Sequence, residues 1–442
     1  MKKTEDVSWQ CSCIIPPFFE ASRGASRWLP GTLKPTARHS ENAVLTFKAQ
    51  AQTLYATALL AAYGVFLCSF FFLQEYGDVY RFYARVISIP SLIAFFCSIR
   101  LVSGHPLFKL IALYMAYLLL SGLWSEPLDR YRLGQMGAIC VYLISFFTTT
   151  HYLVNRNPAH FDLMLRACTL AAGAAAIASI FIFYMSNPFP GTRMDGIGAL
   201  TNINEYANVY GVFALLALGF AINSRKAITR GLFLLAVVAF ICVAWFGQSR
   251  TAFASILVAL GVLSGLSLGR EKSYVLAAGL ALVVVLLLLA FPEVVQQAFE
   301  RGQSFRFVIW SEVWQGILAR PVFGHGLLSE LAIDTGRETP MSVAHNAYLQ
   351  IFWTGGIVGL LLFLLLLGSA FRFALQRGQQ QGDYRILCIL IFAACAMMTG
   401  VDILIARPRD QWILFWLPLA MLIAFGNADN VSHGRPRGHN AS

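Results

Sequence analysis

The chain has 442 residues, 57% hydrophobic, 14% aromatic and only 12% charged, with a formal net charge of +11. A soluble domain carries about 25% charged residues, so this composition excludes one. Apolar runs long enough to cross a hydrocarbon core of about 30 Å recur along the chain. No period-two alternation marks a β-barrel, which leaves an all-α polytopic membrane protein.

Residues 1–50 are polar and basic and read as a cytoplasmic tail without fixed structure. No short apolar segment follows the first lysines, which argues against a cleaved leader. Of the nine cysteines, Cys11 and Cys13 fall in this tail and the other seven lie in apolar runs. They give no disulfide framework and no paired metal motif.

Twelve apolar spans follow, near 54–74, 82–102, 106–124, 134–154, 163–186, 206–223, 231–247, 251–268, 274–291, 347–370, 385–405 and 411–426. With the N-terminus inside, all seven lysines and 21 of the 33 Lys plus Arg fall on the inner side. That is the positive-inside bias, and it accounts for the net charge without a nucleic-acid partner. The expected organisation is a transmembrane catalytic domain over 51–426 and a second cytoplasmic tail over 427–442.

Most external loops are short, but 187–205 and 292–346 are not. The first carries Arg193 in a Gly-rich stretch. Arg250 follows in a turn of very few residues between two spans. In the second loop Ser304 is placed to cap a helix that reaches Ala319 and is stopped by Pro321. Phe307, Trp310, Trp314 and Ile317 recur at spacings of three and four. Such a face suits a helix lying in the headgroup region or packed on the bundle. Arg306 opens this helix, where the macrodipole gives a cation nothing.

Arginine at membrane depth is costly and usually has a purpose. Its planar fork holds phosphate oxygens at two points and stays ionised. Arg193, Arg250 and Arg306 on one side could together bind a lipid-linked diphosphate. Alternatively, each pairs with a carboxylate such as Asp195, Glu205 or Glu312. At the end of the large loop Asn346 is a natural N-cap, which leaves His345 unexplained. A neutral imidazole can take a proton near neutral pH. Tyr348, three residues on, is expected on the same helical face. No zinc motif, phosphate loop or Asp-x-Asp pair is present, so neither metal nor cofactor is expected. Asp402 is the one acid well inside a span.

The ordered pieces RMDGIGALTNINEYAN, SRTAFAS, FRFVIWSEVWQGILARPVFGHG and AHNAYLQIFWTGGIVGLLLFL resemble the O-antigen ligase and polymerase superfamily over about residues 50–425. The resemblance implies a GT-C-like fold with one large periplasmic loop. It implies metal-independent, inverting transfer of a glycan from undecaprenyl diphosphate to lipid A-core at the periplasmic face of the inner membrane. His345 would be the general base, Arg193, Arg250 and Arg306 would hold the diphosphate, and Asn346, Tyr348 and Trp310 would support them. A ligase fits better than a polymerase because one loop dominates and no pair of loops bears Arg-x₁₀-Gly. A protein O-oligosaccharyltransferase usually extends further beyond its last span. A lipid-linked glycan transporter would bind diphosphate equally well but needs no external base.

Overall fold

The computed structural model describes residues 35–300, 306–333 and 341–433. The chain divides into two compact units, Met1–Thr57 and Ala58–Ser442. In the first, the described part is the start of α1 (Pro35–Ser69), where the Thr53 and Thr57 hydroxyls donate to carbonyls one turn back. Helix thus reaches into residues that the sequence assigns to the tail. Cys11 and Cys13 lie outside the described residues.

In the second unit the chain continues through α2 (Tyr76–Phe82), a π-helical turn (Tyr83–Ile87), α3 (Ser91–Gly104), α4 (Pro106–Ser121), α5 (Arg130–Arg156) and α6 (Pro158–Ser186). Then come α7 (Ile203–Asn223), α8 (Ala227–Phe246), α9 (Arg250–Ser267), α10 (Arg270–Ala290), α11 (Pro292–Glu300) and α12 (Arg306–Ala319). The last are α13 (Ala347–Gln381), α14 (Arg385–Ala396), a π-helical turn (Trp412–Trp416) and α15 (Leu417–His433). Side chains start several helices: Asp129, Asn157 and Asn202 each accept from amides of the first turn, satisfying donors that have no intrahelical partner. Pro106 and Pro158 stand at helix starts where no amide is needed.

Each of the twelve expected spans overlaps helix at least in part, but only nine helices among the described residues are long and apolar enough to cross a membrane alone. The expected span 82–102 is bent by 82° between Ile87 and Ser91. Pro90 sits at that bend, where it cannot continue the amide ladder. The expected span 385–405 stops being helical after Ala396, and the last apolar helix, Trp412–Gly426, is short.

Burial orders the bundle. The most apolar window of α7 is 94% buried, whereas that of α10 is 6% buried. Beside α7 an aromatic cluster closes on Trp412, with Phe146 and Tyr83 at 5.2 and 5.0 Å between ring centroids, in the tilted and edge-on range that aromatic pairs prefer.

The large loop folds onto the start of α13. Ile309, Val313 and Ile317 on α12 pack on Leu331, Ile333 and Ala344, with Trp310, Leu349, Phe352 and Trp353 around them. Of the expected apolar face, Ile317 is buried in this packing, while Phe307 and Trp314 are 66% and 46% exposed. The helix has two apolar sides, one packed on the protein and one open. Ser304, the expected cap, lies outside the described residues.

Below this helix the chain makes a joint. α13 breaks at Gly356 (φ 62°, ψ −165°), and Pro321–Gly326 lies against the break. The amides of His325, Gly326 and Ile357 donate to Trp353, Thr354 and Pro321 at 2.8, 2.9 and 2.8 Å. The His325 ring stacks on Trp353 at 3.7 Å. A side chain at Gly324 would sit 2.4 Å from the Gly356 nitrogen, and one at Gly356 would sit 2.2 Å from the Val322 oxygen.

Both glycines also have positive φ, which costs other residues about 1–2 kcal/mol. Gly324→Ala and Gly356→Ala should therefore lower the melting temperature in detergent sharply. Gly368→Ala, on the same helix with no neighbour within 4 Å, should not.

Candidate active site

Two of the three candidate arginines meet at the α8–α9 turn. Gln248 takes positive φ there, and the Ser249 hydroxyl donates to Asn204 Oδ1 at 3.2 Å. The loop before α7 docks on the same turn. The amide of Met194 donates to the Phe246 carbonyl at 3.1 Å, and Tyr206 donates its hydroxyl to Met194 O at 3.0 Å. Arg193 Nε donates to the Gly247 carbonyl at 2.9 Å. Gly247 is required because a Cβ there would lie 1.6 Å from the Tyr206 oxygen. Arg250 is the first residue of α9.

Arg306 joins them from α12. Burial pushes its guanidinium down from the ordinary arginine value; Arg250 beside it pushes further the same way, and Asp402 pulls it back up. Arg193 is likewise pushed down, by burial first and more weakly by Arg306, against the upward pull of Tyr206 and Asp195. Arg306 is thus close enough to feel both Arg250 and Asp402, and Arg193 close enough to feel Arg306. Glu205, a candidate partner for them, is instead hydrogen-bonded to Arg409.

His345 lies just outside α13 in the left-handed region (φ 49°). Its Nδ1 is 3.5 Å from Asp402 Oδ2, and the two side chains are 29% and 23% exposed. The peptide carrying it is fixed on both sides. Trp310 Nε1 donates to the Ala344 carbonyl at 3.1 Å, and the Ala344 amide donates to Gln350 Oε1 at 3.1 Å. Asn346 caps α13, accepting from the amides of Tyr348 and Leu349 at 3.0 and 3.1 Å. The Ala347 amide donates to the Met397 carbonyl at 2.8 Å. Strain at a residue held this firmly is typical of functional positions.

Tyr348 departs from expectation. Because His345 precedes the helix and has positive φ, the three-residue spacing does not place the two on one helical face. The Tyr348 hydroxyl donates to the Ala394 carbonyl at 3.0 Å, tying α13 to α14.

The sequence marked Asp402 only as a lone acid in an apolar run. Its place is set by two tryptophans: Trp416 Nε1 donates to the Leu404 carbonyl at 2.9 Å and Trp412 Nε1 to the Ala406 carbonyl at 3.0 Å. Asp402 also lines a cavity of about 380 Å³ with Gln350, Thr354, Ser342 and Arg132. A second polar cluster was missed altogether. Arg409, bonded to Glu205, lies 5.3 Å over Tyr76, and buried Asp410 accepts from Asn208 Nδ2 at 2.8 Å. Among the described residues no three or more His, Cys, Asp or Glu side chains converge on a metal-sized site.

The fold and the site define a multi-helix membrane protein with a histidine–aspartate pair beside clustered arginines. Residues 234–364 match a family model described as O-antigen ligase. Over 367 residues the chain is 29% identical to an O-antigen ligase of Pseudomonas aeruginosa, covering 81% of this chain and 88% of that protein. The chain is thus similar to O-antigen ligases, in one segment by the family model and over most of its length by this relative. The matched segment contains Arg250, Arg306, Trp310 and His345; Arg193 and Asp402 reach the site from outside it.

Burial and the neighbouring Glu205 push the Asp410 carboxyl up to about 7. A carboxyl raised on folding stabilises fully below its unfolded value. That contribution falls as pH rises from 3.8 to about 7. Asp410→Asn should flatten this part of the stability–pH curve, read as melting temperature in detergent. A variant curve parallel to wild type would exclude Asp410 as the titrating group.

Proposed function

We propose that this protein is an O-antigen ligase, a glycosyltransferase that moves O-antigen glycan from undecaprenyl diphosphate to a sugar of lipid A-core. The reaction takes place at the periplasmic face of the bacterial inner membrane, with both termini cytoplasmic. The observation that carries this reading is the His345–Asp402 contact next to Arg306, which Arg250 depresses and which in turn depresses Arg193, in a chain similar to O-antigen ligases.

The chemistry follows from the arrangement. His345 takes the proton of the acceptor hydroxyl as its oxygen bonds to the anomeric carbon. The bond from that carbon to the diphosphate oxygen breaks, and its electron pair leaves with the diphosphate. Attack opposite the leaving group inverts the anomeric centre. Asp402, facing Nδ1, orients the imidazole so that Nε2 accepts the proton. The 3.5 Å separation needs only a small closure, as catalytic contacts in unliganded sites often do. Arg193, Arg250 and Arg306 stabilise charge on the leaving group with cations already in place. Trp310 and Asn346 act by holding the peptide that carries His345. The bond cleaved is already activated, so no nucleotide is consumed.

A positioned base contributes about 10²–10⁴-fold. His345→Ala should therefore abolish the O-antigen ladder on a lipopolysaccharide gel while lipid-linked polymer accumulates and membrane insertion stays normal. Lipopolysaccharide bearing a single repeat would mark a polymerase instead, and an unchanged ladder would remove His345 from the chemistry. Arg250→Lys keeps the charge but loses the two-point fork, so it should be nearly as damaging as Arg250→Ala; full activity with lysine would count against diphosphate binding at this residue.

A further inference from the structure

Asparagines cluster at the start of α7, and two of them have plain structural work. Asn202 caps the helix, accepting from the Asn204 amide at 3.0 Å. Asn208 donates its side-chain N–H to buried Asp410 at 2.8 Å. Asn204 differs. It is half-buried, and its Oδ1 accepts from the Ser249 hydroxyl at 3.2 Å. Its Nδ2 has no hydrogen-bond acceptor among the described residues.

The bond to Ser249 displaces a more local one. Ser249 immediately precedes α9, where a serine ordinarily caps its own helix. Its side chain makes no such cap and turns to α7 instead. Because Oδ1 faces that hydroxyl, Nδ2 faces away from it. The reverse orientation would turn an acceptor oxygen outward, next to a cluster of cations suited to an anion.

Asn204 stands between the two halves of the site. Ser249 adjoins Arg250. On the other side Gly400 is two residues before Asp402, and a Cβ there would lie 3.4 Å from Asn204 Cβ. Its neighbours on α7 make the same two connections. Tyr206 donates to the carbonyl of Met194, next to Arg193, and Glu205 accepts from Arg409. A neutral donor at this place has an electrostatic advantage. Arg250 already depresses Arg306, so a further cation would add repulsion, whereas an amide adds a donor without it.

We propose that Asn204 contacts the substrate directly, donating its side-chain N–H to a diphosphate oxygen as the leaving group departs. The proposal rests on the ligase reading for the identity of that anion. No proton leaves the amide. The electron pair of the broken glycosidic bond stays on the diphosphate, and the N–H stabilises it as a fixed dipole.

Asn204→Asp is the decisive variant. It keeps the shape and an oxygen to accept from Ser249, but replaces the N–H with an anionic oxygen. If Asn204 only ties α7 to the α8–α9 turn, aspartate should serve as well as asparagine. On the proposal, Asn204→Ala should lower kcat at saturating donor about a hundredfold, and Asn204→Asp at least as far. Binding of radiolabelled undecaprenyl diphosphate in detergent should be about tenfold weaker in Asn204→Asp than in Asn204→Ala, because like charges then face each other. Wild-type kcat and binding in Asn204→Asp would overturn the proposal, and so would a loss confined to Asn204→Ala. Asn204→Gln keeps the donor on a longer arm and should recover about tenfold of the kcat lost in Asn204→Ala. That comparison stands even where the aspartate variant inserts poorly, and no recovery would also overturn the proposal. Absence of transfer by wild type would instead overturn the ligase reading, while the binding comparison would still decide whether Asn204 meets the diphosphate.

Discussion

Backbone that leaves the helix within a membrane protein must find its hydrogen bonds inside the protein. Here several breaks draw their bonds from other irregular segments. The break in α13 takes the amides of His325 and Gly326 and returns the amide of Ile357 to Pro321. The end of α14 supplies the Met397 carbonyl to the Ala347 amide, and the α8–α9 turn supplies Phe246 and Gly247 carbonyls to Met194 and Arg193. These bonds hold the irregular segments to one another. The site residues His345, Asp402, Arg193 and Arg250 all lie on these irregular stretches or at their edges.

This arrangement also sets the electrostatics. Arg250 depresses Arg306 and Arg306 depresses Arg193 because the loops and helix that carry them are locked to a common turn and to α13. Asp402 partly offsets Arg306. Glu205 would offset the cluster further, but Arg409 engages it and Tyr76 backs Arg409. The second polar cluster therefore keeps a nearby carboxylate out of the candidate diphosphate site. Asp410, beside Glu205, is driven toward its neutral form, which prevents a second uncompensated anion there.

Much of this was legible in the sequence, for identifiable reasons. Helix existence follows from apolar runs, and Asn346 as a cap follows from a polar residue before such a run. The glycines of Pro-x-x-Gly-x-Gly and of the Gly355–Gly356 pair are visible, but what they do depends on two segments about 30 residues apart touching. Asp402 is visible as an acid in an apolar run; its partner is not, because the run stops being helical after Ala396 and only the tryptophan hydrogen bonds fix its direction. Tyr348 was misplaced because spacing was read through a residue with positive φ. Which face of α12 packs was not legible because both its sides are apolar, so periodicity alone had two answers. Arg409 and Glu205, 204 residues apart, leave no local trace.

On the proposed chemistry, the two halves of the site act as one charge system. Before reaction the arginine cluster is matched by the anionic diphosphate of the donor. As the glycosidic bond breaks, the leaving group gains one negative charge. In the same event the acceptor proton moves to His345, which gains one positive charge. The net charge of the pocket is therefore unchanged, and the developing imidazolium and the developing anion stabilise each other at short range. Asp402 is placed for this role because it faces His345 on one side and is felt by Arg306 on the other. A carboxylate in that position stabilises the imidazolium while its own burial cost is partly met by the arginine. The cavity beside Asp402 and the apolar cavity at Arg250 are lined by different elements.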